Sequence, residues 1–494
     1  MNEPLPPVTA SNGHGPGDAS PAQDNVLKVH NDRGTGIFDA LHPPPDDLIS
    51  DCVHCGFCLP SCPTYVLWGE EMDSPRGRIY LMKEGKEGTV PFDDTYVSHF
   101  DACLGCMACT TACPSGVQYD KLIEAVRPQI ERNHSRRPAD RLFRSAIFAL
   151  FPYPNRLRVA AALGSLYQRG PRDLLARAGL LRRLPARLRA MEALMPPLRL
   201  RDIATRLPEH TPAQGATRHR VAMLTGCAQQ VFFSEVNAAT ARVLAAEGCD
   251  VLAPADQKCC GALSEHAGRE AEALTRARKL IDRFAVLQVD SIVVNVAGCG
   301  STMKEYGHLL RDDPDYADKA RTFSDKVRDI SELLDQLGPV AERHPISARV
   351  AYHDACHLAH AQKIRTQPRA VLGTIPGMEV LDIPEWEICC GSAGIYNLVQ
   401  PEPAEDLGRR KVANIVSVKP DMIATANPGC LLQIRRYLDP PVPLYHPVQL
   451  LDFSIRGVDP LAPPNADQHG ATGRSSSDPS PPSAVDEARV PTGR

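Results

Sequence analysis

No uninterrupted apolar run in this 494-residue chain approaches the ~20 residues that a membrane-spanning helix needs. The best stretch, Ala146 to Phe151, is cut short by Pro152 and Pro154. The N-terminus, Met-Asn-Glu-Pro-Leu-Pro-Pro, has neither the basic nor the apolar region of a secretory signal, so a cytoplasmic location is expected. A formal net charge of −4 is too weak to argue for nucleic acid or for a strongly acidic partner. No glycine-rich fingerprint sits between a strand and a helix where FAD or NAD would bind, and no acid/base pair suited to dehydrogenation stands out. No flavin is therefore expected on this chain. With 43% hydrophobic and 23% charged residues, the composition is that of a globular protein with room for roughly two to four domains.

Cysteine is what the chain has in excess, with 17 residues. A secreted disulfide scaffold would be short and would carry a signal peptide. In a reducing cytoplasm, clustered cysteine means metal. Two stretches carry eight of them: Cys52-Val-His-Cys55-Gly-Phe-Cys58-Leu-Pro-Ser-Cys62-Pro63 and Cys103-Leu-Gly-Cys106-Met-Ala-Cys109-Thr-Thr-Ala-Cys113-Pro114. Both spell C-x2-C-x2-C-x3-C-P, the ferredoxin run in which three close thiolates hold one [4Fe–4S] cluster and the fourth cysteine ligates the other. Two copies imply two clusters. Zinc sites use Cys-x2-Cys pairs set a dozen or more residues apart, and four cysteines within eleven positions match clusters far better. Between the runs, Ser74 is placed to cap a helix that Pro75 begins. Arg76 and Arg78 on it would either contact a partner, offset the charge of the clusters, or lie in solvent.

Residues 1–45 and 458–494 are rich in Pro, Gly, Ser, Asn and Asp and read as a disordered leader and tail. The double-cluster domain is placed at 46–135 and a helical basic linker at 136–217. Between Arg156 and Arg206 the linker carries twelve Arg against Asp173, Glu192 and Asp202. Its leucines (Leu174, Leu175, Leu180, Leu181, Leu184 and Leu188) suit either packing on a neighbouring domain, the reading preferred here, or peripheral contact with an anionic membrane face.

From Arg218 the pattern alternates between strands and helices. Strands are expected at 221–225, 250–253 and 291–296, then at 350–353, 378–383 and 422–425, with helices at 234–247, 269–287 and 403–416. This gives two α/β units with largely parallel sheets, at 218–340 and 341–457, and an α+β chain overall. The cysteines repeat with the units. The first has Cys227, Cys259-Cys260-Gly261 and Cys299; the second has Cys356, Cys389-Cys390-Gly391 and Cys430. The steps are 32, 1 and 39 residues in one copy and 33, 1 and 40 in the other. An apolar strand leads into the outer cysteines, which places the thiols at the C-terminal ends of strands, where ligand sites collect in open α/β sheets. Vicinal cysteines suit a polynuclear cluster or a redox dithiol; zinc is harder to exclude here than at the ferredoxin runs. His353 and His357 flank Cys356 and are candidates to hydrogen-bond a cluster sulfur. Cys249 fits neither pattern and reads as a core residue.

The ferredoxin runs, with Ser74-Pro-Arg-Gly-Arg-Ile-Tyr-Leu-Met between them and Cys113-Pro-Ser-Gly-Val-Gln-Tyr119 closing the second, resemble the iron–sulfur subunit family of bacterial glycolate oxidase. The Cys-Cys-Gly units are shared more widely, with heterodisulfide reductase B, anaerobic glycerol-3-phosphate dehydrogenase C and lactate-utilisation proteins. The resemblance implies an electron-transfer subunit of a glycolate dehydrogenase. Flavin-bearing partner subunits would take the hydride, and a quinone or other acceptor would receive the electrons. It further implies one cluster on Cys52, Cys55, Cys58 and Cys113, and a second on Cys103, Cys106, Cys109 and Cys62. An electron-transfer subunit for lactate or glycerol 3-phosphate, or a thiol/disulfide reductase acting at the Cys-Cys-Gly units, is the alternative. The heterodisulfide reductase relatives end each unit in Cys-x-x-Cys. Here Thr302 and Gln433 stand at the last position, so the fifth thiolate is missing and metal binding in these units stays open.

Overall fold

The computed structural model describes residues 36–462, and the greater part of the expected leader and tail lies outside the described residues. Residues 36–45, expected within the leader, are instead strapped to the first domain. Phe38 is fully buried, Ile37 N–H donates to the Gly85 carbonyl at 2.9 Å, and the Asp39 carboxylate accepts from Arg132 and Asn133. A single phenylalanine among Gly, Pro and Asp has no periodicity by which to announce itself.

The first domain is helical. Ser74 Oγ accepts from Gly77 N–H at 3.0 Å and Pro75 opens the helix Pro75–Glu87, as expected from the capping pattern. Its Ile79 and Met82 join Phe100 from the helix Asp94–Ala102 and Leu122, Ile123 and Val126 from the helix Tyr119–Asn133 in one core, into which Cys103 and Cys109 also reach.

The linker follows as helices Pro138–Leu150, Pro154–Gln168, Pro171–Arg177, Ala186–Ala193 and Leu200–Ala204, the first three each opened by proline. Ile147 and Phe148 pack with Ile395 and Leu398 of the second α/β unit, and Leu157 and Ala161 pack with Val231 of the first. The leucines divide. Leu175, Leu181 and Leu184 are half-buried, whereas Leu174, Leu180 and Leu188 stay exposed, so packing on a neighbour accounts for only part of this face.

The two α/β units share one topology. In the first, β1 (His210–Thr211), β2 (His219–Met223), β3 (Cys249–Leu252), β4 (Ser291–Val294) and β5 (Val327–Asp329) lie in the order β1-β3-β2-β4-β5. In the second, β6 (Ala348–Tyr352), β7 (Met378–Asp382), β8 (Met422–Ala424) and β9 (Leu444–Tyr445) lie in the order β7-β6-β8-β9. All pairings are parallel except β1 with β3. The six expected strands are present; β1, β5 and β9 are too short for alternation to register. Val221 and Met223 face one core while Ala222 and Leu224 face another, as period-two side chains do when both faces of a sheet are covered.

The units meet around a pseudo-two-fold axis. Helix Ser234–Ala246 of the first packs on the last helix of the second, Pro447–Arg456; helix Ile330–Leu337, last in the first, packs on Thr366–Leu372 in the second. Val221, Met223, Val293, Val350, Tyr352 and Met422 from both sheets share the core between them. Arg242 grips Asp452 across this joint with bonds of 2.8 and 2.7 Å. Glu247, 1% exposed, accepts from Val340 N–H at 2.7 Å and pairs with Arg343, fixing the chain as it passes between units. Removing one partner of such a buried pair strands the other. Glu247→Ala is expected to cost about 3 kcal/mol, measured as a lowered midpoint of urea unfolding.

Candidate iron–sulfur and cysteine sites

Each ferredoxin run coils by the same device. The second and fourth residues after its first cysteine take left-handed backbone conformations: His54 and Gly56 at φ 54° and 87°, Gly105 and Met107 both at φ 62°. A non-glycine residue there costs roughly 1–2 kcal/mol, and a packed arginine holds each turn. Arg76 Nη1 donates to the His54 carbonyl at 3.0 Å, and Arg127 Nη2 donates to the Cys103 carbonyl at 2.6 Å. Both lie so close over the glycine that an added Cβ would meet them at 2.7 and 2.9 Å. Arg127 was invisible in the sequence, since it reaches its run from 24 residues away.

The eight thiols are free. Gly105 N–H donates to Cys103 Sγ at 3.4 Å, the Tyr119 hydroxyl lies 3.6 Å from the same sulfur, and Thr64 Oγ1 lies 3.2 Å from Cys62 Sγ. Burial pushes the Cys58 thiol up to about 11 and raises Cys106 and Cys109 well above the ordinary value, with neighbouring thiolates adding to the effect. Cys103 is the exception: burial opposes its ionisation, but Arg78 and Arg127 hold it below the ordinary value. The guanidinium of Arg78 is 1% exposed and bonds the His99 carbonyl at 2.6 Å, Thr64 and Asp73. Of the readings open for the two arginines, Arg78 therefore offsets sulfur charge, and Arg76 pairs with Glu71 at 2.6 Å beside the first run. Crowded thiols that oppose each other's ionisation form a donor set that a cationic iron–sulfur centre fits, because binding it releases their protons.

In each α/β unit, strand ends bring four cysteines together. Cys227 follows β2, Cys259 and Cys260 follow β3, and Cys299 sits in the helix Ala297–Lys304 after β4. Cys259 and Cys227 sulfurs lie 3.6 Å apart, and Cys259 and Cys299 both act on Cys260. In the second unit Cys356 and Cys389 lie 4.0 Å apart, Cys389 and Cys430 both act on Cys390, and Asn427 Nδ2 donates to Cys430 Sγ at 3.4 Å. Gly261 and Gly391 share a left-handed conformation, φ 88° and 87°. The sets are not electrostatic copies. Hydrogen bonds from Cys227 and Cys260, with Arg276 nearby, hold Cys259 well below the ordinary thiol range. Cys389 is raised instead. Lys411, fully buried, donates to the Glu385 carbonyl at 2.6 Å near that pair.

Cys249 is fully buried in β3, a core residue as expected. His357 Nδ1 lies 3.5 Å from Cys356 Sγ, while His353 Nδ1 faces Thr425 Oγ1 at 3.0 Å. At the positions where a fifth thiolate would stand, Thr302 is buried and Gln433 bonds Asn397 and the Ala404 carbonyl.

The runs differ in exposure. Cys55 is exposed, with Val53 and Phe57 open to solvent beside it. Cys106 is buried in one apolar cluster with Cys389, Ile388 and Tyr396, with Cys356 packed against it. The second run thus abuts the second α/β unit. No helix among the described residues is long and apolar enough to cross a membrane.

Comparison with known proteins agrees with this layout. A 4Fe-4S dicluster domain model matches residues 48–117, the model for the linker region of the glycolate oxidase iron-sulfur subunit matches 139–195, and a cysteine-rich domain model matches 221–304 and 350–435. The chain is 40% identical to the probable glycolate oxidase iron-sulfur subunit of Bacillus subtilis over 78% of this chain and 88% of that protein. It is 38% identical to the glycolate oxidase iron-sulfur subunit of Escherichia coli over 78% of this chain and 89% of that protein. Lactate utilization protein A of Oceanobacillus iheyensis matches at 28% identity over only 44% of this chain and 88% of its own length. With iron–sulfur runs, linker and duplicated cysteine-rich units all in place, the chain belongs to the family of glycolate oxidase iron–sulfur subunits.

Proposed function

We propose that this chain carries electrons within a multisubunit dehydrogenase that oxidises glycolate to glyoxylate, receiving them from flavin-bearing partner subunits and passing them to a quinone or other acceptor. The observation that carries this reading is the 40% and 38% identity to glycolate oxidase iron–sulfur subunits across 78% of the chain, linker included. Two bound [4Fe–4S] clusters would supply the one-electron steps that a flavin reduced by hydride requires. Cys52, Cys55, Cys58 and Cys113 would hold one, and Cys103, Cys106, Cys109 and Cys62 the other. The exposed Cys55 face, with Val53 and Phe57, suits a docked redox partner. The four thiols gathered in each α/β unit suit a further metal or iron–sulfur site. Thr302 and Gln433 in place of a fifth thiolate weigh against disulfide reduction there.

Purified anaerobically, the native complex is expected to contain a flavoprotein and about eight irons per chain or more, and glycolate is expected to bleach its iron–sulfur absorbance. Reduction of the flavin by glycolate with the iron–sulfur absorbance unmoved would sink the proposal; bleaching by lactate or glycerol 3-phosphate alone would transfer it to that substrate.

The turn at Gly105 gives a local test. Gly105→Ala, at φ +62° and with Arg127 at 2.9 Å from the new Cβ, is expected to remove about half the iron. Gly69→Ala, at φ +65° in open space, is expected to keep it and cost only about 1 kcal/mol. Iron analysis beside urea unfolding reads both.

Peripheral contact with an anionic membrane face has support in the linker. Val159, Leu163 and Leu166 are exposed at i, i+4 and i+7 on the helix Pro154–Gln168, one amphipathic stripe, and Arg169, Arg177, Arg182 and Arg183 are exposed nearby in the chain. The complex is expected to sediment with phosphatidylglycerol vesicles more than with phosphatidylcholine vesicles, and to lose that preference in the triple variant Val159→Ser, Leu163→Ser, Leu166→Ser. Equal sedimentation of variant and wild type would remove the linker from the contact.

A further inference from the structure

Outside the cysteine sites, one group of ionisable side chains, Glu265 buried and the others half-buried, gathers where the ferredoxin-type domain meets both α/β units. Glu124 comes from the helix Tyr119–Asn133; Glu265 and His266 come from the short helix Ala262–His266 that follows the first Cys-Cys-Gly. Their ligand-capable atoms all lie within 4.8 Å of one another. Glu265 is 8% exposed; its Oε2 lies 2.5 Å from His266 Nδ1, and its Oε1 has no hydrogen-bond partner. His266 Nε2 is likewise buried and unpartnered. The ring of His357, from the second unit, lies against that of His266 with centroids 4.7 Å apart, and its Nε2 also lacks a partner.

A second observation points to a ligand at the same place. A cavity of about 20 Å³ is lined by Glu124, Glu265, Ser301, Thr302, Glu305 and His308, while His266 and His357 line a second cavity; the Thr302 hydroxyl, on a residue 3% exposed, is unpartnered. That volume admits one ion or one water, for which ~10–15 Å³ suffices. The local charge has the matching sign. Burial and the charge of Glu265 push the Glu124 carboxyl well above its ordinary range, while against burial His266 and Arg127 hold the Glu265 carboxyl below its own; Lys121, 4.0 Å from Glu124, also pairs with Glu305 and Asp120.

We propose that Glu124, Glu265 and His266 bind one divalent cation, with His357 and Thr302 bordering the site, and that the ion ties the ferredoxin-type domain to the two α/β units. Two carboxylates and an imidazole are donors for Mn²⁺ or Fe²⁺ rather than for a thiophilic metal. The ion would replace a proton shared between the two carboxyls. It would also engage Glu265 Oε1 and His266 Nε2, which the fold otherwise leaves buried and unpartnered.

Mn²⁺ is the probe, because it prefers oxygen and nitrogen donors and leaves thiolate sites alone. The full chain, purified with its iron–sulfur centres, is titrated with Mn²⁺ and the free-ion electron paramagnetic resonance signal is followed. Wild type is expected to remove one equivalent. Glu124→Gln with Glu265→Gln, and separately His266→Gln, are expected to weaken binding roughly tenfold or more while the iron–sulfur absorbance is unchanged. If the carboxylate pair is needed for folding and its variant is lost, His266→Gln alone decides. No uptake by wild type would leave a shared proton as the occupant and overturn the proposal, as would uptake by the variants equal to that of wild type. Neither result depends on glycolate, so the electron-transfer reading stands or falls separately.

Discussion

The constraint behind this structure is the cost of gathering sulfur that must ionise in places water does not reach. Burial disfavours a thiolate, and a second thiolate beside it disfavours it again. The fold answers with fixed cations. Arg78 is almost wholly buried, yet lies within the field of Cys62 and Cys103. Arg127 ties the Cys103 turn to the His266 carbonyl of the first α/β unit, at 2.8 Å. Arg276 acts on Cys259, and buried Lys411 feels Cys389 and Cys390. Each costs desolvation, and each recovers it by bonding backbone carbonyls or carboxylates as well as facing sulfur.

Duplication set the frame, and the later differences give each unit its place. Both sheets run in the same strand order, and both Cys-Cys-Gly turns pass through the same left-handed glycine. The residue packed against that glycine is Arg276 in one unit and Leu407 in the other. The leucine belongs to the apolar cluster that receives Cys106, where the second ferredoxin run meets the second unit. A cation at that point would be buried against the other domain. In the first unit Arg276 is buried but pairs with Glu272, so the charge is kept, and Cys259 is the cysteine held low. One geometry thus carries two electrostatic environments.

Much of this was legible in the residue order because cysteine spacing and strand periodicity are local. Six strands, the Ser74 cap and the eight paired thiols of the α/β units all stand where their patterns place them. What was not legible is set by contacts across the chain. Arg76 and Arg78 look alike in sequence, but residues two apart on a helix point roughly 200° away from each other, so one meets Glu71 and the other is buried. Phe38 is read as part of the leader until its partners are known. Arg127, Glu124 and Glu265 have no motif, and their roles arise only where three domains converge. The linker leucines could not be assigned to core or surface from amphipathicity, since both uses demand the same pattern.

The three domains converge on one helix. Helix Tyr119–Asn133 is the common element: Arg132 reaches Glu270, Lys121 reaches Glu305, and Arg127 reaches His266, all in the first unit. Thr111, just before it, lies 3.0 Å from His360 of the second. One side of the ferredoxin-type domain is therefore committed to intramolecular contacts, whereas Cys55, Val53 and Phe57 of the Cys52–Cys58 loop stay exposed. Electron transfer depends on fixed separation between centres, and here the separation is held by charge pairs and packing on one helix. The apolar loop opposite is free to meet a partner without disturbing them.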